Sequence, residues 1–342
     1  MIKKVLPKND FDSFLKKIST GKEVFAPVQD RMKTVWAPVL NADKLTWDFS
    51  NTDLSPKEFF LPQTQNMLEF HNDSKDPQGL IFHEVQADTF PKILLNMRPC
   101  DSRSFSILDQ IFMQDQQRLD VYWQERRNST LIISLACNNP CSTCFCTSMG
   151  LDPHSGQGSD VLMQDMGDQL VLTPQTEAGN GLIAHLSDAS ENDVNQAEIL
   201  KNKAIQMVST HISMENIASS TVLDLYNNPL WESVHESCLN CGVCTYFCPT
   251  CHCFDIQDET QGKYGRRIRN WDSCMSPLFT LHTSGHNPRG TKMHRVRQRF
   301  MHKFKYMPEK LSGVSGCTGC GRCIVRCPVN IDVRSVLNQM NS

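Results

Sequence analysis

Two stretches of the sequence decide the fold of its C-terminal part: SCLNCGVCTYFCP at residues 237–249 and GCTGCGRCIVRCP at residues 316–328. Each places four cysteines two, two and three residues apart, and a proline follows the fourth cysteine. In this pattern the first three thiolates bind one cubane of four irons, and the fourth thiolate reaches the neighbouring cubane. The spacing therefore predicts two [4Fe–4S] clusters that exchange their fourth ligand.

The exchange rule assigns eight cysteines to two ligand sets. The first cluster is predicted to bind Cys238, Cys241, Cys244 and Cys327. The second is predicted to bind Cys317, Cys320, Cys323 and Cys248. Gly242 and Gly321 leave room where the backbone has to wrap closely around a cluster. The alternative is a pair of zinc sites, but zinc usually takes two CxxC pairs without the third cysteine and the terminal Cys-Pro.

Composition limits the class of protein. The chain has 342 residues, enough for two or three domains, with 39% hydrophobic and 21% charged residues and 16 cysteines. No apolar run is long enough to span a membrane, and the N-terminus predicts a short amphipathic helix rather than a signal peptide. We therefore expect a cytoplasmic protein whose reduced cysteines bind metal rather than form disulfides. Such clusters are sensitive to oxygen, which favours an anaerobic host.

The first part of the chain, residues 1–190, is predicted to be an α/β domain. Short apolar runs in residues 1–90 indicate strands and turns. GLIFHEV at 79–85, KILLNMR at 92–98 and TLIISLAC at 130–137 are predicted as buried strands. Between them, Asp101 is expected to cap an amphipathic helix. Alternating strands and helices are typical of an α/β fold.

The second part, residues 191–342, is predicted to be a mostly helical ferredoxin-like domain. We place the boundary in the polar, acidic segment 187–194. A helical pattern follows over 199–234, and Asp332 is expected to cap the last helix. The long interval between Cys248 and Cys317 does not fit the compact βαβ ferredoxin, so a helical dicluster domain is favoured.

Eight cysteines remain outside the two motifs. Because two strand ends of one α/β sheet often converge, a further [4Fe–4S] cluster is predicted on four of them: Cys100, Cys137, Cys144 and Cys146. Cys141 is an alternative to one of the four, and the opposing interpretation is that all of these are small buried residues. A weaker pattern suggests a site of Cys251, Cys253 and Cys274 with His252 or an N-terminal cysteine.

A basic segment without acids runs from Met275 to Pro308. Its apolar residues are spaced as one helical face: Met293, Val296, Phe300, Phe304 and Met307. Off that face lie Arg295, Arg299, His302 and Lys303. These cations have three interpretations: they raise the potentials of nearby clusters, dock an acidic partner, or form a solvated face.

From about Arg98 onward the sequence resembles a known family, the dicluster ferredoxin subunits. This family includes the A subunit of anaerobic sulfite reductase and the beta subunit of soluble [NiFe] sulfhydrogenases. Besides the two cysteine motifs, the matching stretches are RPCD, CFCTSMG, CPTCHCFD, RRIRNWDSCM, SGHNPRG and RVRQRFMHKF. Residues 1–90 show no such match.

The resemblance implies a role as well as a cofactor. Such subunits pass electrons between a flavin subunit that uses NAD(P)H, or another donor, and a separate catalytic subunit. The eight motif cysteines match the family's cluster ligands. The family also carries cysteine at seven further positions, namely Cys100, Cys137, Cys144, Cys146, Cys251, Cys253 and Cys274, but not at Cys141. The catalytic centre is then expected on another chain.

Two other functions fit the sequence less well than electron transfer. A self-contained reductase with a flavin or substrate site in the N-terminal domain lacks the G-x-G-x-x-G fingerprint and a phosphate-cradling loop. A nucleic-acid-binding iron–sulfur protein is disfavoured because the whole-chain pI is about 6.4. The sequence therefore predicts no nucleic-acid partner and no membrane span.

Overall fold

An eight-stranded mixed sheet organises the first half of the molecule. The computed structural model describes residues 2–73, 75, 78–115 and 117–342. In chain order the strands are β1 (Lys4–Pro7), β2 (Glu23–Asp30), β3 (Lys33–Pro38), β4 (Thr64–Asn72), β5 (Leu80–Glu84), β6 (Lys92–Met97), β7 (Thr130–Leu135), β8 (Val161–Asp165), β9 (Gln169–Pro174), β10 (Ser187–Asp188), β11 (Phe254–Gln261) and β12 (Tyr264–Trp271). The large sheet has the order β10-β1-β9-β8-β7-β6-β2-β3. Its middle strands β2, β6, β7 and β8 are parallel neighbours, and the outer pairs are antiparallel.

Helices cover both faces of this sheet and build the C-terminal part. They are α1 (Phe11–Ile18), α2 (Pro99–Phe112), α3 (Val121–Asn128), α4 (Glu177–Ile183), α5 (Glu191–Met207), α6 (Glu215–Ser219), α7 (Val222–Tyr226), α8 (Leu230–Val234), α9 (Val243–Tyr246), α10 (Lys292–Met301), α11 (Met307–Lys310), α12 (Arg322–Val325) and α13 (Val333–Met340). A π-helical turn at His302–Tyr306 joins α10 to α11.

Strand β6 shows why the N-terminal part has three layers. All six of its residues are buried, as expected for a central parallel strand. Ile93 and Leu95 pack on the side of α1, whereas Leu94 packs on the other side against α2 and α3. Alternate side chains of β6 therefore belong to two separate hydrophobic cores, one on each face of the sheet. This confirms the α/β prediction for the first part of the chain.

A second sheet joins distant parts of the sequence. Its order is β11-β12-β4-β5, all antiparallel, and β12 pairs with β4 along most of its length. The β11–β12 hairpin lies between the two cysteine motifs, while β4 comes from the first part of the chain. The C-terminal part is thus helices plus a long hairpin, so the mostly helical prediction holds only in part.

Two local predictions are wrong. Residues 79–85 were expected to form a buried strand, but β5 is the edge strand of the second sheet and is mainly exposed. Asp101 was expected to cap a helix, but α2 begins earlier, at Pro99, and Asp101 lies inside its first turn. Its carboxylate binds Arg322 instead.

Other local predictions are confirmed. Asp332 accepts a hydrogen bond from the backbone N–H of Arg334 and caps α13. Segment 199–234 is helical, although it is divided among α5, α6, α7 and α8. Within the described ranges, no helix has the length and apolar character needed to cross a membrane.

Candidate iron–sulfur centres

The first cysteine loop surrounds a cavity under α10. Its walls include four thiols of the predicted first set and one of the second: Cys238, Cys241, Cys244, Cys327 and Cys323. Arg299 and Phe300 of α10 close the cavity from the side of the core. Gly242 has a φ of +73° at the start of α9, the left-handed conformation that favours glycine. A tight turn there lets three thiols of one short loop face the same space.

Backbone N–H groups point at three of the motif sulfurs. The donors are Asn240 to Cys238 at 3.4 Å, Gly319 to Cys317 at 3.4 Å and Ile331 to Cys327 at 3.2 Å. Such hydrogen bonds stabilise thiolates and are one of the factors that set cluster potentials. They are the contacts expected of cysteines that bind iron.

The second set of thiols is deeper in the molecule. Burial raises the pKa of Cys317, Cys320 and Cys323, and the nearby charge of Cys248 raises each further. Cys248 therefore lies close to all three thiols of the second loop, although it belongs to the first motif. This is the neighbourhood that the exchange of fourth ligands requires.

A buried lysine contacts this second set. The Lys303 ammonium donates to Cys248 Sγ at 3.3 Å, Thr250 Oγ1 at 2.9 Å and the Gly316 carbonyl at 3.0 Å. Burial opposes its charge, but the thiolates of Cys248 and Cys251 raise the pKa of Lys303 above its usual value. Lys303 therefore carries its charge beside the sulfurs.

Arg299 lies between the two sets. It is buried, and its Nε has no hydrogen-bond partner within the described part of the chain. Burial opposes its charge, but Cys244 of the first set and Cys323 of the second raise the pKa of Arg299. With Arg295, Arg297, Lys303 and Lys305 also buried, the interpretation of the basic segment as a solvated face is wrong.

A third group of thiols lines a cavity at the carboxyl edge of the large sheet. Six cysteines contribute to it: Cys100, Cys137, Cys141, Cys144, Cys146 and Cys320. Cys100 follows β6 and Cys137 follows β7, so the two strand ends do converge. Cys141 lies with the four predicted cysteines, and Cys320 of the second loop closes the same cavity. Five N-terminal thiols therefore line one cavity, one more than a cubane needs.

Close backbone packing brings the second loop to this cavity. Gly319 has a φ of +67°, and a Cβ there would lie 2.6 Å from the backbone of Cys146. Gly321 has a φ of +74°, and its Cβ would lie 2.5 Å from Thr143 Oγ1. Only glycine fits at either position, and the small residue is what lets the two thiol groups share a wall.

A buried ion pair fixes the same contact. Arg322 of α12 forms two hydrogen bonds to Asp101 of α2, at 2.5 and 2.7 Å, and a third to the Thr52 carbonyl. Both charged side chains are almost completely buried. The pair ties the second loop to the N-terminal sheet and leaves no net charge there.

Sequence reasoning missed several of these residues. Asn51 Nδ2 donates to the Cys320 carbonyl at 2.8 Å, and its Oδ1 lies 3.6 Å from Cys100 Sγ. Lys57 donates to the Cys251 carbonyl at 3.0 Å and lies over the ring of Trp271. Neither position carries a motif, so no signal in residues 1–90 would have found them. Arg98, in the wall of the third cavity, was noticed only as part of RPCD.

Cys251, Cys253 and Cys274 lie next to the first two sets. A hydrogen bond with Cys274 lowers the pKa of Cys253 to about 7. In the same way, a hydrogen bond with Cys251 lowers the pKa of Cys248. His252 packs against Phe112 and His302, and its Nδ1 lies 3.0 Å from the Thr250 carbonyl. The structure thus pairs Cys251 with Cys248 and Cys253 with Cys274, and it does not add His252 to either pair.

The donor sets fit clusters better than single ions. Within the described ranges, no three His, Cys, Asp or Glu side chains are arranged to hold one metal ion. The thiols instead line the walls of cavities, with N–H donors and cations directed at the sulfurs. A cubane needs that arrangement because it fills space and carries negative charge.

Comparison with known proteins agrees with this chemistry. Residues 237–331 match the family described as "4Fe-4S dicluster domain". The matched stretch therefore forms a dicluster domain that contains both cysteine motifs. It is 29% identical, over 336 residues, to "Sulfhydrogenase 2 subunit beta" of Pyrococcus furiosus. That alignment covers 96% of this chain and 96% of the relative. No solved structure matches significantly.

The dicluster domain identifies the chemistry of the chain. It is an iron–sulfur protein of electron transport, and the match covers both cysteine motifs. The relative aligns along nearly the whole length, so the similarity also includes the segments that form the N-terminal sheet.

Proposed function

We propose that this chain is the electron-relay subunit of a hetero-oligomeric redox complex of the hydrogenase or sulfite reductase type. It passes electrons between a flavin subunit that uses NAD(P)H and a catalytic subunit. The support for a multi-subunit complex is the relative, which is itself named as a subunit of a sulfhydrogenase.

One observation carries the relay: the second set of thiols contributes a wall to each of two thiol-lined cavities. Cys323 of the second set also lines the first cavity, and Cys320 of the second set also lines the N-terminal one. The second set is therefore in the middle, between a partly exposed first site and the sheet. Cofactors placed in such a row serve to conduct electrons across a protein.

The proposed ligands follow from these walls. Cys238, Cys241, Cys244 and Cys327 hold the first cluster, and Cys317, Cys320, Cys323 and Cys248 hold the second. A third [4Fe–4S] cluster is held by four of the five N-terminal thiols, Cys100, Cys137, Cys141, Cys144 and Cys146. When bound, each cluster supplies a centre that gains and loses one electron at a time.

The protein's own residues hold and shield these centres. The loops give thiolates and N–H donors, α10 covers the first cavity with Phe300, and Lys303 and Arg299 supply charge. No residue in the cavity walls is placed as a general base for a substrate. The chemistry of the complex is accordingly assigned to another subunit.

Metal and sulfide analysis tests the proposal. The chain is purified anaerobically with its native partners, and iron, sulfide and flavin are counted per chain, with EPR of the reduced sample. About twelve irons are expected for three cubanes, and about eight would mean that the N-terminal thiols hold none. Zinc in place of iron would refute the electron-relay function.

Two serine variants locate the third cluster. The double variant Cys100→Ser/Cys137→Ser is expected to lower the iron content by about four, because it leaves only three of the five N-terminal thiols in the cavity. Cys251→Ser is the control, since Cys251 is also a half-buried non-motif cysteine but is outside that cavity, and its iron content is expected to stay unchanged. Loss of iron in the control would place a ligand at Cys251.

A flavin assay separates the relay from a self-contained reductase. The isolated chain is expected to contain no flavin and to oxidise NAD(P)H only when the flavin subunit is added. Stoichiometric flavin bound to the chain alone would support the reductase instead.

A further inference from the structure

Lys303 has the contacts of a charged ammonium directed at one cluster site. Its Nζ is surrounded by three acceptors, Cys248 Sγ, Thr250 Oγ1 and the Gly316 carbonyl, at 2.9–3.3 Å. An ammonium has three N–H donors, one for each of these acceptors. The side chain is almost fully buried.

The charge of Lys303 is not neutralised by an acid. Among the described residues its partners are a thiol, a hydroxyl and a carbonyl, without a carboxylate. A buried cation without a counter-ion is unfavourable, so an anion has to lie against it. In the part of the chain that the structure describes, the group that can carry negative charge within hydrogen-bonding distance of Nζ is the thiol of Cys248, which the proposed function makes a ligand of the second cluster.

The other buried cations near the thiol groups are compensated or shared. Arg322, beside Cys320, is neutralised by Asp101 at 2.5 Å. The charge of Arg299 interacts with both Cys244 of the first set and Cys323 of the second. Lys57 is near Cys248 and Cys251, but its hydrogen bonds go to backbone carbonyls, as do those of Arg98 at the N-terminal cavity. Lys303 differs from Arg322, Lys57 and Arg98 in donating directly to a motif sulfur.

The helix is deformed where it delivers this lysine. The π-helical turn His302–Tyr306 adds a residue to the turn between α10 and α11. It points Lys303 at Cys248, while Lys305 points away, to carbonyls of Ile217, Ala218 and Ser220 and to Glu309. Such π turns occur often at functional sites because they redirect individual side chains.

We propose that Lys303 is a positioning residue that raises the reduction potential of the second cluster, the middle one of the relay. The inference rests on the proposed function. A reduced cluster carries one more negative charge than an oxidised one, so a neighbouring cation stabilises the reduced form.

Potentiometric titration followed by EPR tests the inference on the anaerobically purified complex. The signal of the second cluster is the one that a Cys317→Ser variant lacks. Lys303→Gln keeps a donor but removes the charge. At the wild-type midpoint potential, it is expected to lower the reduced-to-oxidised ratio at least about tenfold, a shift of about 59 mV for one electron. Lys303→Arg keeps the charge and is expected to retain most of the potential.

Two further variants make the result specific. Lys305→Gln removes an equally buried lysine of the same π turn that faces away from the thiols, and it should leave the potential unchanged. Lys57→Gln should move the potential in the same direction as Lys303→Gln but by less. If Lys303→Gln fails to assemble the cluster, the potential measured in Lys57→Gln still tests whether a nearby lysine charge raises it.

The outcomes separate the inference from the proposed function. A wild-type complex without iron would overturn the proposed function itself. Normal clusters whose potential is unmoved in Lys303→Gln and Lys57→Gln, or moved equally in Lys305→Gln, would overturn only the role of the lysine.

Discussion

The two cysteine loops have the same spacing but lie in different environments. In the first loop Cys241 is exposed, and neighbouring Leu239 is 64% exposed. In the second loop Cys320 is buried, and Gly319 lies against the backbone of Cys146. One repeat therefore faces the surface, and the other is embedded between the helices and the N-terminal sheet.

This difference shows how a repeated motif acquires unequal roles. The local geometry of the two loops is the same, since each has a glycine with φ near +74° followed by a short helix. What differs is the surroundings: a solvent boundary for one loop, and Asn51, Asp101 and Lys303 for the other. The first site is suited to exchange electrons with a partner, and the second to connect centres inside the chain.

The largest expected effect comes from breaking the anchor of the second loop. Arg322→Met leaves the Asp101 carboxylate buried without its partner, which costs about 3–5 kcal/mol of the free energy of unfolding. Anaerobic urea unfolding followed by circular dichroism measures it. The control is Arg267→Met at the exposed pair with Asp258, expected to cost less than about 1 kcal/mol. Equal losses in both variants would contradict the anchoring role.

Acid should weaken the wall that supports the second loop. Burial lowers the pKa of His154 to about 4, below its usual value near 6.5. Because the folded protein binds this proton less readily than the unfolded chain, the stabilisation is complete above pH 6.5 and is lost as the pH falls towards 4. The loss amounts to about 3 kcal/mol at most.

The variant His154→Gln checks this pH dependence. Its free energy of unfolding should vary less than that of the wild type between pH 6.5 and pH 4. His185→Gln is the control, since His185 is an exposed histidine that packs against Phe14 of α1. An unchanged slope in His154→Gln would assign the acid sensitivity to other groups.

A pair of alanine variants compares the two loops directly. Gly319→Ala puts a Cβ 2.6 Å from backbone atoms of Cys146, which are unable to move aside. Gly242→Ala puts one 2.9 Å from the ring of Tyr246, a side chain that is able to rotate. In both variants the left-handed backbone strain costs about 1–2 kcal/mol of the free energy of unfolding. In Gly319→Ala alone, overpacking costs about 1–3 kcal/mol more. Equal unfolding midpoints would show that the backbone of Cys146 leaves room for a Cβ at residue 319.

The smallest effect concerns the rate of iron loss. An iron chelator is added anaerobically, and thiols that become free are alkylated and identified by mass spectrometry over time. Cys241 and Cys238 should be labelled before Cys317 and Cys320, because the first loop is at the surface. Labelling in the reverse order would mean that burial does not govern access to the clusters.

Much of the site was predictable because its signals are local. Spacing along one loop determines which thiols meet, so Cys238, Cys241 and Cys244 were found from sequence alone. The strand ends at Cys100 and Cys137 were also predicted to converge, since parallel strands end at one edge of a sheet. The capping role of Asp101 was predicted wrongly because its partner, Arg322, is more than two hundred positions away in the chain.

The sequence by itself determined the cofactor chemistry, the α/β character of the first part and the presence of two equivalent cysteine loops. These depend on short-range spacing and periodicity, which are visible in the order of residues. Only the tertiary structure decided which loop is buried, that Cys320 faces the N-terminal thiols, and that Lys303 rather than Lys305 reaches Cys248. The reason is physical: electrostatic environment depends on distances through space, and these are set when remote segments pack together.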